Sequence, residues 1–76
     1  MFTSDQIRAG RALLRWSARD LAEKAGLSLP TVQRLEAADG IPSTSVKTLM
    51  SIKAAFDDAG VEFTNGDTPG VRLKKR

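Results

Sequence analysis

Few side chains in this chain can do covalent chemistry. Among its 76 residues there is no cysteine and no histidine. It therefore has no thiolate nucleophile, disulfide framework, imidazole base or Cys/His metal ligand. Its 9 Asp and Glu residues occur without a companion base, a glycine-rich phosphate loop or a metal-type cluster. An enzyme is not expected, and no cofactor or metal is called for. What remains is hydrogen bonding and charge. Thr31, Gln33 and Arg34 lie close together, and an arginine fork can grip two acceptors at once. Leu29 and Pro30 just before them offer only apolar surface. A second set, Ser17, Arg19, Ser28, Ser43, Thr44 and Lys47, consists of hydroxyls and cations, the groups that hold phosphate.

Local signals define the elements that must position these residues. Thr3 with Gln6 has the spacing of a capping box, and Ile7 and Leu14 recur at helical spacing, predicting helix 1 over about residues 4–15. Ser17 with Asp20 repeats the pattern, Leu21, Ala22 and Ala25 follow, and Gly26 supplies a stop with positive φ, predicting helix 2 over 18–25. Ser28 caps a third helix, 29–37, whose first turn tolerates Pro30 and whose Val32 and Leu35 share a face. Asp39-Gly40-Ile41-Pro42-Ser43 reads as loop with Ile41 turned inward. Ser43 or Thr44 opens helix 4, whose apolar positions run from Val46 to Phe56, and Gly60 ends it. The period then changes to two. Val61 and Phe63 alternate with polar residues, as do Val71 and Leu73, with turn pairs at Asn65-Gly66 and Pro69-Gly70. The expected fold is mainly α: a four-helix domain over 1–60 and a two-stranded β tail over 61–76.

Helices 2 and 3 are separated by a turn of about three residues, so they must cross near a right angle. Such a crossing needs small residues at the close approach (Ala22, Ala25), positive φ at the turn (Gly26), an apolar plug (Leu27) and anchors beyond it (Val32, Leu35). Leu29, Pro30, Gln33 and Arg34 then point away from the core, on a helix that the major groove of double-stranded DNA can admit. Charge is compatible with this partner. The net charge is +3, but Arg72, Lys74, Lys75 and Arg76 supply four cations, and residues 1–71 hold 8 basic against 9 acidic side chains. The folded part can neutralise phosphates only if its cations share a face. The basic end reads either as a further contact or as a solvated terminus.

Over about residues 4–58, and most sharply over 11–36, the sequence resembles the phage repressor and Cro-like helix-turn-helix domains, the XRE family. The resemblance implies a sequence-specific transcriptional regulator, a repressor or autoregulator, with recognition helix 29–37 in the major groove. It implies a scaffold pair between Arg11 and Glu36, the helix 1–2 junction at Trp16-Ser17, and Ser28 as a recognition-helix cap that touches phosphate. Two departures matter. Ala18 stands where the family often has a phosphate-binding glutamine, and Leu29 and Pro30 stand where polar base readers are common. Base contact is thus assigned to Leu29 and Pro30 through thymine methyl groups, and to Thr31, Gln33 and Arg34 through hydrogen bonds, with Arg34 matched to guanine. Phosphate contact is assigned to Ser17, Arg19, Ser28, Ser43, Thr44 and Lys47, while Arg15 and Lys24 read as plain surface.

Regulators of this kind bind as two-fold dimers with recognition helices about 34 Å apart. Val61, Phe63, Val71 and Leu73 make an apolar face that a chain this small is not expected to leave in water. A homodimer paired through these strands is one arrangement, and a hairpin that only covers helices 1 and 4 is the other. A second functional reading is an antitoxin or regulatory subunit that binds a protein partner through the tail. No run approaches the roughly 20 apolar residues of a membrane span, and the start does not resemble a signal peptide, so a cytoplasmic location is the expectation.

Overall fold

The computed structural model describes residues 2–65 and 67–74. Lys75 and Arg76 of the basic end, and Gly66 of the expected Asn65-Gly66 turn, lie outside the described residues. The order is α1 (Ser4–Leu14), α2 (Ala18–Ala25), α3 (Leu29–Ala37), α4 (Val46–Asp58), β1 (Val61–Thr64) and β2 (Gly70–Leu73).

The helix starts are set by side chains close in sequence. The Gln6 N–H donates to Thr3 Oγ1 at 3.1 Å while Gln6 Oε1 accepts from the Thr3 N–H at 2.7 Å. Ser17 and Asp20 repeat this reciprocal pair at 3.0 and 2.9 Å. Each satisfies N–H groups that the first helical turn leaves without partners. Ser28 caps α3 by accepting from the Thr31 N–H at 3.2 Å.

Helix 4 starts later than expected. Its cap is Ser45, which accepts from the Thr48 N–H at 3.2 Å, and Ser43 and Thr44 belong to the loop before it. The inward residue of that loop is also different: Pro42 is buried and Ile41 is 56% exposed. Gly40 turns the chain with φ of 69°, and its carbonyl accepts from the Ser4 N–H at 2.9 Å. That bond pins the loop to the start of α1, and the next inward position falls on residue 42.

The core is built from Phe2, Ile7, Leu21, Val32, Leu35, Leu49, Ile52, Phe56 and Val61, with small Ala22 and Ala55 at close approaches. α2 packs on α3 and α4, and α1 packs on α3 and both strands. Gly10 lets α1 approach Phe56 closely, since a Cβ there would stand 3.0 Å from a Phe56 ring carbon. Trp16 stacks on Phe56 at 5.8 Å, and Phe63 meets Phe56 edge-on at 5.3 Å and Phe2 at 4.8 Å.

The two strands form an antiparallel hairpin with Val61 opposite Leu73 and Phe63 opposite Val71. Their apolar face does not lie open. Val61 is 1% exposed, and Phe63 and Val71 are half-buried against the core. The hairpin packs on α1 and α4, and of its four apolar strand residues Val61, Phe63, Val71 and Leu73 it is Leu73, 49% exposed, that keeps a large apolar surface in water. Much of that face is thus buried within one chain. Gln6 fastens the hairpin in place. Its Nε2 donates to the carbonyls of Thr64 at 2.8 Å and Gly70 at 3.0 Å. Gln6→Ala removes both donors and one acceptor from a buried site, an expected loss of about 1–3 kcal/mol. Thermal denaturation of the variant checks this, and an unchanged melting temperature would show that the hairpin is held by apolar contacts alone.

Candidate nucleic-acid interface

The turn between α2 and α3 is made as a right-angle crossing requires. Gly26 adopts φ 68°, and the Leu27 N–H donates to the Ala22 carbonyl at 2.9 Å. Leu27 packs on the core, and Val32 and Leu35 are fully buried beneath α3. The opposite face of α3 is a stripe of Pro30, Gln33, Arg34 and Ala37, all exposed. This i, i+3, i+4, i+7 spacing sets one helix face.

The expected base readers divide on this geometry. Pro30, Gln33 and Arg34 stand on the stripe, with the Gln33 amide and the Arg34 guanidinium free of hydrogen bonds to described residues. Leu29 and Thr31 are half-buried, and Thr31 Oγ1 lies 2.8 Å from Ser28 Oγ, so these hydroxyls engage each other at the cap. Of the expected phosphate contacts, Ser17, Arg19, Ser28, Ser43 and Lys47 are exposed and Thr44 is half-buried. Ser17 Oγ is occupied by the Asp20 N–H, and the Asp20 carboxylate accepts from the Ser17 N–H. The N-terminus of α2 thus carries its own anion, which lowers its pull on a phosphate.

The far end of α3 is held by α1. α3 has no glycine stop, and Ala38 leaves it in an extended conformation. Its last carbonyls are satisfied instead from a neighbouring helix: Ser4 Oγ donates to the Leu35 carbonyl at 2.6 Å, and the Arg8 guanidinium donates to the Glu36 carbonyl. Arg11 then grips the Glu36 carboxylate with two bonds of 2.7 and 2.8 Å and reaches the Trp16 carbonyl at 3.0 Å. Donating hydrogen bonds to Glu36 raises the Arg11 pKa, with burial opposing it, so the guanidinium stays charged throughout the neutral range. The Arg11–Glu36 pair is the one the resemblance implied. Ser4 and Arg8 were not anticipated. Their spacing from Arg11, i, i+4 and i+7, puts all three on one face of α1, but a polar face reads from sequence as a solvated one.

Charge separates the chain into two regions. Arg8, Arg11, Lys53, Arg72 and Lys74 each pair with a carboxylate. Arg15, Arg19, Lys24, Arg34 and Lys47 pair with no described residue. All five unpaired cations fall between the end of α1 and the first turn of α4, the stretch that contains the crossing helices.

The helix-turn-helix family profile matches residues 7–57. The chain belongs to this family, that of the repressor and Cro-like regulators. No curated protein matches it. The family match makes the chain a DNA-binding regulator in general terms. No described helix is long and apolar enough to cross a membrane. In this regulator the Arg11–Glu36 pair ties the last turn of α3 to α1. Glu36→Ala leaves a half-buried guanidinium unpaired, and about 3 kcal/mol of stability is the expected loss. The double variant Arg11→Met/Glu36→Met should recover most of it. Urea denaturation of both decides: a double variant as unstable as the single one would mean that the pair acts through packing alone.

Proposed function

We propose that this regulator binds double-stranded DNA sequence-specifically and represses transcription, with its own promoter as one target, by placing α3 in the major groove. The observation that carries this reading is the set of five unpaired cations confined to residues 15–47, beside an exposed Pro30–Gln33–Arg34 stripe on α3. Elsewhere among the described residues the cations are neutralised internally.

Helix 4 adds support. Lys47 lies in its first turn and Asp57 and Asp58 in its last, with no acidic residue at the start and no basic one at the end. Each of these charges opposes the helix dipole, at about 0.3–1 kcal/mol. α2, by comparison, mixes both signs at each end, Arg19 with Asp20 first and Glu23 with Lys24 last. A cation held at the wrong end of a helix is useful where an external anion meets it, as a DNA phosphate would beside the recognition helix.

The regulator is proposed to act as a homodimer, since one recognition helix reads too few base pairs to select a site. The tail surface left for pairing is that of β2, which has β1 as its only strand neighbour and carries the exposed Leu73. Val61 is spent inside its own core, and Phe63 and Val71 contribute only their uncovered edges.

In vitro selection from random duplexes should yield a palindromic site. On that site Arg34→Ala is expected to lose about 1–3 kcal/mol and to relax base preference at one position per half-site. Lys47→Glu should weaken binding to all sequences while leaving the fold as stable or more so. An Arg34→Ala loss equal on selected and random DNA would place Arg34 on phosphate. For the dimer, Leu73→Glu should shift sedimentation equilibrium toward monomer with little change in melting temperature. An unaltered dimer would remove β2 from the interface.

A further inference from the structure

We propose that Arg15 is a DNA-phosphate contact held in fixed register with the recognition helix, and not a plain surface residue. The proposal rests on the DNA-binding reading above and adds a contact to it.

Arg15 closes α1 in the left-handed conformation, φ 58° and ψ 33°, and is the only non-glycine residue with positive φ among those described. α2 closes with the same geometry, φ 68° and ψ 33°, but uses Gly26. A side chain at such a position crowds the backbone, and glycine avoids the penalty. The backbone bonds that close α1 offset this local cost, but the Arg15 side chain is exposed and forms no ion pair or hydrogen bond with a described residue, which leaves its charge to a group outside the chain.

The backbone at this position is rigidly tied to α3. The Arg15 N–H donates to the Ala12 carbonyl at 3.1 Å and the Trp16 N–H to the Arg11 carbonyl at 2.9 Å. The Arg11 guanidinium, in turn, binds both the Trp16 carbonyl at 3.0 Å and the Glu36 carboxylate at 2.7 and 2.8 Å. One guanidinium therefore joins the residue next to Arg15 to the last turn of the recognition helix. A phosphate gripped by Arg15 would set where along the groove α3 sits.

The neighbouring groups leave this task to side-chain cations. Position 18 is alanine, and the start of α2 is already capped by the Asp20 carboxylate. Arg15 and Arg19, on either side of the α1–α2 break, are the unpaired cations nearest in sequence to it.

The test is a salt titration of the full-length protein on its selected duplex and on a random one, with Arg15→Gly, Arg15→Lys and, as reference, Arg19→Ala. Arg15→Gly is expected to keep or raise the melting temperature. It should weaken binding to both duplexes about threefold or more near physiological salt and reduce the slope of log affinity against log salt by about 0.9. Arg15→Lys, which keeps both the cation and the left-handed backbone, should retain the wild-type slope. A wild-type slope and affinity for Arg15→Gly would overturn the proposal. So would a slope lost equally in Arg15→Gly and Arg15→Lys together with a fall in melting temperature, since Arg15 would then act through the fold. If Arg19→Ala lowers the slope and Arg15→Gly does not, only this inference falls. If the unaltered protein shows no salt-dependent binding to either duplex, the DNA-binding reading falls and this inference with it.

Discussion

Helix α3 of this regulator is held from behind by α1, and much of the molecule depends on that grip. An α-helix ends with carbonyls that lack internal partners, and α3 has no glycine turn to satisfy them. Ser4 and Arg8 supply the donors, and Arg11 adds a charged clamp on Glu36. The last turn of α3 is thus finished by another helix. Because Arg11 also binds the Trp16 carbonyl, and Trp16 stacks on Phe56, the same guanidinium ties the α1–α2 junction and, through it, the core beneath α4. The orientation of α3 and the position of Arg15 are consequences of one hydrogen-bonded centre.

The other faces of α1 organise the rest. Ile7 enters the core, Gly10 admits the Phe56 ring, and Gln6 spans from its own helix cap to two carbonyls of the hairpin. The tail is consequently part of the packed domain, with Val61 almost wholly buried. Its outer face carries the cross-strand pair of Glu62 with Arg72, which absorbs one of the cations that sequence alone placed in a basic terminus. Charge in this small chain is sorted. Among the described residues, cations away from the crossing helices are neutralised within the fold, and those near them are left unpaired even where they oppose a helix dipole or strain the backbone. Both features cost stability, and both are consistent with a surface shaped for an anionic partner.

The features that could be read from sequence are those set by residues a few positions apart. The two capping boxes, the Ser28 cap, Pro30 in a first turn and Gly26 at positive φ all depend on local sterics and local hydrogen bonds, and all appear where spacing placed them. So does the exposed stripe of α3, because burial of Val32 and Leu35 forces the other side outward. The start of α4 was less legible. Ser43, Thr44 and Ser45 are equally good caps in isolation, and the choice of Ser45 follows from a loop anchored elsewhere, through the Gly40 carbonyl on Ser4. The same anchor puts Pro42 inward and Ile41 outward.

Sequence by itself determined the element order, the tight turn between α2 and α3, and the exposed face of α3, since helical period and turn chemistry are properties of short segments. Tertiary structure decided which polar residues are scaffold and which are free. Ser4, Arg8 and Arg11 look like a solvated helix face until α3 is laid across them, and Arg15 looks like an ordinary surface arginine until its backbone angle is known. It also decided that the apolar tail turns inward, because an alternating strand has a greasy side in any case, and only the packed neighbours establish what that side meets.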